Sequence, residues 1–514
     1  MSHETACGNC GSSLRPAVLR CRECGHIVSQ KPKSLLDHSV VAEQEQNELN
    51  QQRTQGDKRM RADESKIPLL KEVTCPTCWH EFSPEDVHWV ATHEDLADDR
   101  FNDGRQLHFL PSRYSVKGLA YDERGRECTE MACPRCGNVF IPHLLQMSPL
   151  FLSILGAPGS GKSFFLAAMI RELQKTLGSK LNVRFQNSNP LGNRLITEYG
   201  TSLFDYSDDE SARVKLQKTD IQGDLWYYQT VIDGQDMMLP KSYLYAVQPG
   251  RDHAKFEHQD ELSRVLCLYD NAGEHFLPGA TTGSAPVIDH LGKSEALLFV
   301  YDPLQESEFR RRCKGHSEDP QIQHAPFKYP QADVLAEAAA HVKKLKKLSA
   351  TQLYDKPLIV VVQKFDAWQS LVGDSYDVLD KAWGLNSKGQ ALLDTDLIKT
   401  VSLRLQKLLL TIAPAIVNEA QAFCKEVVFI PVTATGLSPM HEGEDEGGQL
   451  NLMFRPGSLK PRWCELPVLY ALRRSARGKH GESLIAKLQR KSKTNDDSRE
   501  STVPFPGTNR RQHG

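Results

Sequence analysis

The sequence predicts an α/β fold in which a mostly parallel sheet with flanking helices is preceded by two small Cys₄ zinc ribbons. Three observations carry this. Gly156-Ala157-Pro158-Gly159-Ser160-Gly161-Lys162-Ser163 lies between the apolar run Phe151-Leu152-Ser153-Ile154-Leu155 and a helical pattern opening at Phe164. Further apolar runs at 263–269, 295–301, 356–362 and 426–432 read as buried strands, with a helical stretch at 332–348 among them. Strands alternating with helices in this way imply parallel pairing. Upstream of all of them, cysteines recur as CxxC pairs.

The first cysteine set, Cys7, Cys10, Cys21 and Cys24, falls within residues 1–30. Each CxxC turn presents two thiolates on one side of a tight loop, and two turns close a tetrahedral site. So short a segment buries too little surface to fold alone, so the metal supplies its stability. Residues 31–66 are rich in Gln, Asn, Glu, Lys and Arg and read as a flexible polar linker. The second set, Cys75, Cys78, Cys133 and Cys136, spans a second ribbon at 67–147 with a long insertion between its halves. His80, His88, His93, His108 and Cys128 lie nearby, but four cysteines already fill a tetrahedral site. Such closed sites have no open position for chemistry, so both Zn²⁺ ions are expected to be structural.

The glycine-rich stretch has the GxxxxGK[ST] form of a phosphate-binding loop in its required setting of strand, turn and helix. Gly156, Gly159 and Gly161 let successive backbone amides, Ser160 among them, curl around a phosphate, and the helix N-terminus adds a favourable dipole. Lys162 is placed to reach the β- and γ-phosphates, and the Ser163 hydroxyl to hold Mg²⁺. Asp270, at the end of the 263–269 run, is a second candidate for the Mg²⁺ shell, and Gly273 leaves a backbone amide open to a γ-phosphate.

Taken with Asp270-Asn271-Ala272-Gly273, Gln363-Lys364-Phe365-Asp366 and Thr433-Ala434, this loop resembles the set of elements in Ras-like, translation-factor-related P-loop GTPases. The first matches DxxG, the second is similar to [NT]KxD, and the third stands where the base-contacting SA element belongs. The resemblance implies a G-domain-like fold over 148–475 that binds GTP with Mg²⁺. It implies that Asp366 accepts hydrogen bonds from the guanine N1–H and 2-amino group, that Lys364 lies along the base plane, and that the Ala434 amide meets O6. Gln363 departs from the usual Asn or Thr, which leaves its tie to neighbouring loops open. Thr433 departs more mildly from Ser.

The position after DxxG carries a water-orienting glutamine in Ras-like enzymes. Here Glu274 and His275 follow, and either is expected to place or deprotonate the attacking water. Thr219, ahead of the strand-like 225–232, is the candidate for the switch threonine that binds Mg²⁺. Insertions lengthen the domain, with an extra strand at 182–185 and a polar segment at 305–330. Zinc ribbons ahead of an expanded GTPase domain are similar to the bacterial "double-GTPase" proteins of predicted conflict systems.

The 514 residues carry 63 Lys plus Arg against 65 Asp plus Glu, a balance that points to no bulk polyanion partner. Basic residues near the first ribbon allow nucleic-acid contact, but aromatic stacking platforms are absent, so a protein partner docking on ribbons or switch loops is favoured. No segment approaches the roughly 18 consecutive apolar residues of a membrane span. The start begins no secretory signal, and paired cysteines then read as metal ligands in a cytoplasmic setting. Residues 476–514 are basic and Ser-rich and, apart from a short amphipathic piece at 482–488, are expected to form a disordered tail. The functional expectation is a nucleotide-dependent switch with GTP hydrolysis. The alternatives are an ATP-hydrolysing remodelling protein and a non-hydrolysing scaffold.

Overall fold

The computed structural model describes residues 5–6, 13–14 and 68–488, apart from 99–103, 206–208, 210, 216–226, 272, 278–288, 324–329, 445–449 and 479–480. The chain divides into two units, Met1–Pro68 and Leu69–Gly514. In the first, Thr5–Ala6 pairs antiparallel with Ser13–Leu14. Cys7, Cys10, Cys21, Cys24 and the 31–66 linker lie outside the described residues.

The second unit is mixed α/β and is built on one large sheet. Its strands are β1 (Ser148–Leu155), β2 (Val183–Asn187), β3 (Ser242–Pro249), β4 (Arg264–Asp270), β5 (Ala296–Tyr301), β6 (Leu358–Val362) and β7 (Val427–Pro431). They lie in the order β2-β3-β4-β1-β5-β6-β7. From β4 to β7 neighbours run parallel, whereas β3 is antiparallel to both β4 and β2. Every residue of β5 and β6 is buried, which is why both read as unbroken apolar runs.

Strand alternation divides the core in two. From β1, Leu150, Leu152 and Ile154 face a large core with Leu266 and Leu268 of β4. Helix α1 (Lys162–Leu173) adds Phe165, Leu166 and Met169 to it. The opposite face presents Phe151, Val265, Cys267 and Tyr269, and these share a second core with Cys75, Cys78, Trp79, Cys133 and Cys136. Successive side chains point to opposite faces, so one strand serves both cores. Residues 69–147, expected as a ribbon of their own, therefore form the layer that covers this face of the sheet. They carry a short hairpin, Val73–Thr74 with Glu81–Phe82, and a four-stranded sheet that includes His88–Val90 and His108–Phe109.

Three sequence readings change. The strand-like 225–232 is not part of the large sheet: Tyr227–Ile232 pairs with Gln235–Pro240 as a separate hairpin. The strand antiparallel to β4 is instead β3, so the argument that placed Thr219 before a sheet strand does not hold, and Thr219 itself lies outside the described residues. The polar 305–330 segment contains a helix, Ser307–Cys313, whose Phe309 and Cys313 are buried. The tail does not begin at 476. After helix Leu466–Ser475, the chain buries Ala476, Leu484 and Ile485, and Ala486–Lys487 pairs parallel with Ala391–Leu393. Among the described residues no helix is long and apolar enough to cross a membrane.

Candidate functional site

From β1 the chain first builds β2, β3 and β4 on one side, then β5, β6 and β7 on the other. The carboxyl end of β1 is thus the point where strand order reverses, the place where open α/β sheets form a binding crevice. The glycine-rich loop occupies it. Gly159 and Gly161 take left-handed φ values of 72° and 86°, and the turn passes into α1 at Lys162. Lys162 Nζ donates to the carbonyls of Gly156 (3.0 Å) and Ala157 (3.1 Å), spanning the loop. Ser163 follows in the first turn of α1, and the Ser160 hydroxyl is buried with no hydrogen-bond partner among the described residues.

Beyond β6, Lys364 takes a left-handed φ of 57° and starts the short helix Phe365–Trp368. The Phe365 amide donates to Val432 O, so this turn is anchored to the end of β7. Thr433 Oγ1 donates to Asp366 Oδ1 at 2.5 Å and accepts from the Gly436 amide at 2.7 Å. Burial pushes the Asp366 carboxyl above its ordinary value, opposed by the Thr433 hydrogen bond and the charge of Lys364. Gln363 is tied through its main chain, to Tyr301 O and from the Trp368 indole, while its Nε2 is buried without a partner among the described residues.

These elements meet in one cleft. Gly159, Ser160 and Gly161 line one side, and Gln363, Lys364, Asp366 and Ala434 another. Phe164, Leu437, Pro439, Leu452 and Phe454 supply apolar walls, Phe164 and Phe454 packing edge-on with centroids 5.3 Å apart. Two buried polar atoms, Ser160 Oγ and Gln363 Nε2, therefore belong to residues that line the same cleft.

Sequence reasoning missed three residues here. Lys364 Nζ is held by Asp302 Oδ2 and Gln321 Oε1, and Asp302 is fully buried at the end of β5. Asp319 and Gln321 come from the segment read as a polar insertion, and both line the cleft. Burial raises the Asp319 carboxyl, with Lys364 opposing. Asp302-Pro303 at a strand end was a readable capping signal; Asp319 and Gln321 had none.

The loop after β4 closes on the glycine-rich loop. A Cβ on Gly273 would stand 2.6 Å from Pro158 N and 2.7 Å from Gly156 O, so only glycine permits this approach. The carboxylate oxygens of Asp270 are buried at the strand end, and its charge adds to burial in raising the Tyr199 phenol to about 12. Gly273–Phe276 forms a single 3₁₀ turn. His275 does not line the cleft; its Nε2 lies 2.6 Å from the Tyr227 hydroxyl. Ala272 and the Glu274 side chain lie outside the described residues.

On the other face of the sheet, Cys75, Cys78, Cys133 and Cys136 place their sulfurs within 4.8 Å of one another. Cys75–Cys136 is 3.8 Å and Cys78–Cys133 is 3.6 Å. A tetrahedron with Zn–S bonds of about 2.3 Å has edges of about 3.8 Å, so the set fits Zn²⁺. Burial raises the Cys75 thiol, while hydrogen bonds from Cys136 and Cys75 hold Cys133 below its ordinary value. His80, His88, His93, His108 and Cys128 do not join this cluster.

No family model and no curated protein matches the chain. Among solved structures, it is similar to the S. cerevisiae Ski7 GTPase-like domain bound to GTP, at 15% identity over 58% of this chain and a TM-score of 0.20. The match spans 46% of that chain, less than half its length. The functional reading therefore stands on the site itself.

Proposed function

We propose that the chain is a P-loop GTPase that acts as a nucleotide-dependent switch, with GTP in the cleft between the glycine-rich loop and Asp366. One observation carries this reading: Gly159–Gly161 and the group Gln363, Lys364, Asp366 and Ala434, separate in sequence, line a single cleft. A nucleotide satisfies both ends at once. Its phosphates meet the loop amides and the α1 N-terminus. Its base presents two N–H donors to the Asp366 carboxylate, which adenine's Watson–Crick edge cannot do.

The chain's own groups then have separate tasks. Lys162 exchanges the Gly156 and Ala157 carbonyls for phosphate oxygens. Ser163 and Asp270 would hold Mg²⁺, which would supply positive charge to the phosphate oxygens. Gly273 offers its amide to the γ-phosphate, and Glu274 is the group proposed to position the attacking water, since His275 is engaged by the Tyr227 hydroxyl away from the cleft. Hydrolysis would release the 270–276 loop, as switch loops respond to loss of the γ-phosphate. The closed Cys₄ set is structural, and the set at Cys7–Cys24 is proposed to dock a protein partner.

Competition binding of GTP, ATP and XTP to the wild type and Asp366→Asn tests the reading. GTP should be preferred, and the variant should shift towards XTP because Asn offers a donor to the xanthine O2. Equal affinity of the wild type for ATP and GTP would overturn it. Steady-state phosphate release then separates a GTPase from a scaffold that binds without turnover.

A further inference from the structure

The two cysteine knuckles have the same hydrogen-bonded turn but not the same residue after their second cysteine. Gly137 takes φ 65° in one, and Trp79 takes φ 57° in the other. A bulky residue is strained in left-handed backbone, and such strain persists where surrounding structure demands it. Here the demand is visible. The Trp79 indole donates to Tyr269 OH at 3.1 Å, and Tyr269 OH donates to Pro76 O inside the first knuckle.

Tyr269 is the residue before Asp270, and its ring stacks on His290 with centroids 4.4 Å apart and planes 9° apart. His290 is fully buried. Its Nδ1 lies 2.6 Å from Ser153 Oγ and its Nε2 2.9 Å from Asn271 Oδ1. Ser, His and Asn in this order invite comparison with a nucleophilic triad, but Ser153 and His290 are both inaccessible, so no substrate reaches them. Their arrangement instead fixes Asn271, whose Nδ2 donates to Ile154 O just before the glycine-rich loop.

A second route leaves the other knuckle. Thr230 Oγ1 donates to Cys136 O at 2.6 Å. Thr230 lies on the hairpin whose Tyr227 hydroxyl meets His275 Nε2 at 2.6 Å. One main-chain carbonyl in each knuckle thus receives a hydroxyl, and the two routes end at Asn271 and His275, on either side of Gly273.

We propose that Tyr269 and Thr230 are positioning residues through which the Cys75/Cys78/Cys133/Cys136 metal site sets the 270–276 loop, coupling metal occupancy to nucleotide binding. The nucleotide half rests on the reading above. Loss of the metal lets both knuckle turns relax, withdraws both hydrogen bonds and loosens the loop that abuts Pro158. Coupling between sites is reciprocal, so bound nucleotide must tighten metal binding by the same factor by which metal tightens nucleotide binding, and the tighter binding is read here as slower metal release.

The test uses the full zinc-loaded chain carrying Cys7→Ser and Cys10→Ser, which confines the signal to the second set. Zinc transfer to a chromogenic chelator is followed with and without saturating GTP and Mg²⁺, and amide exchange is followed over 270–276. GTP should slow zinc release about tenfold or more, within the usual span of coupling. Tyr269→Phe with Thr230→Val should keep zinc content and circular dichroism, abolish that slowing, and speed exchange over 270–276 about tenfold. If no nucleotide binds, the function proposed above fails and exchange alone decides the coupling. Release and exchange within twofold of the parent chain in the double variant would overturn it, as would GTP leaving zinc release unchanged.

Discussion

The Thr433 hydroxyl donates to the Asp366 carboxylate at 2.5 Å while accepting from the Gly436 amide at 2.7 Å. A hydroxyl has one proton, and the amide occupies the acceptor side, so that proton is committed to Asp366. The substitution of Thr for Ser in this element therefore keeps the group that orients the carboxylate. Thr433→Val should lose about ten- to a hundredfold in guanine-nucleotide affinity, in line with roughly 1.5–3 kcal/mol for a hydrogen bond to a charged group. Thr433→Ser should stay near wild type. Fluorescent-nucleotide titration reads both, and wild-type affinity in the valine variant would remove Thr433 from the site.

Burial raises Asp366, which has a consequence for stability. A carboxyl raised in the folded state contributes stability below its unfolded value, and that contribution is lost as pH rises through the folded value. Without nucleotide, Asp366→Asn should unfold at higher urea than wild type near pH 7, and the two midpoints should converge towards about pH 4. A variant less stable than wild type at neutral pH would show that the carboxylate serves the fold and not a ligand.

The three atoms nearest to where a Cβ on Gly273 would stand are all backbone of the glycine-rich loop. Gly273→Ala must displace one loop from the other, and phosphate release should fall about tenfold or more, as displaced catalytic geometry typically costs. Most of the fold does not depend on this contact, so circular dichroism should be retained. Unchanged turnover would mean that the loops separate in the active form.

Because the cysteine set shares a core with β1 and β4, its metal should stabilise the whole second unit. Cys75→Ser should lower zinc content by about one equivalent and destabilise the sheet, since the ligand set is then incomplete. Metal analysis with thermal unfolding followed at the helical signal checks this. Loss of zinc with no shift in the melting temperature would contradict the shared core.

Leu484 is fully buried, and its carbonyl lies 3.0 Å from His253 Nε2. Leu484→Ala should cost about 2–5 kcal/mol, the range for large-to-small changes in packed cores. A loss under about 0.5 kcal/mol in urea titration, typical of surface sites, would return this segment to the tail.

Local pattern made much of the molecule legible. The apolar runs at β1, β4, β5, β6 and β7 could be read directly because buried parallel strands need no polar face. Asp270, Gln363, Lys364, Asp366 and Thr433 could be picked out because each follows such a run. Strand β3 was harder: its Ser242-Tyr243-Leu244-Tyr245 start follows a hairpin that resembles it, and only pairing with β4 tells the two apart. The amphipathic piece at 482–488 could be read, but so few apolar positions do not tell a segment docked on the sheet domain from part of a tail.

By itself, then, the sequence determined the strand–loop–helix order, the glycine-rich turn and the cysteine pairs, all properties of short windows where backbone preference and hydrophobic spacing act. Only the tertiary structure decided that the cysteine knuckles cover one face of the sheet, and that Asp302 and Gln321 hold Lys364 from 62 and 43 residues away. It also decided that Tyr269 and Thr230 join the knuckles to the 270–276 loop. Those contacts form where strand alternation sends one set of side chains to each face, and what waits on that face depends on chain segments that no local window contains.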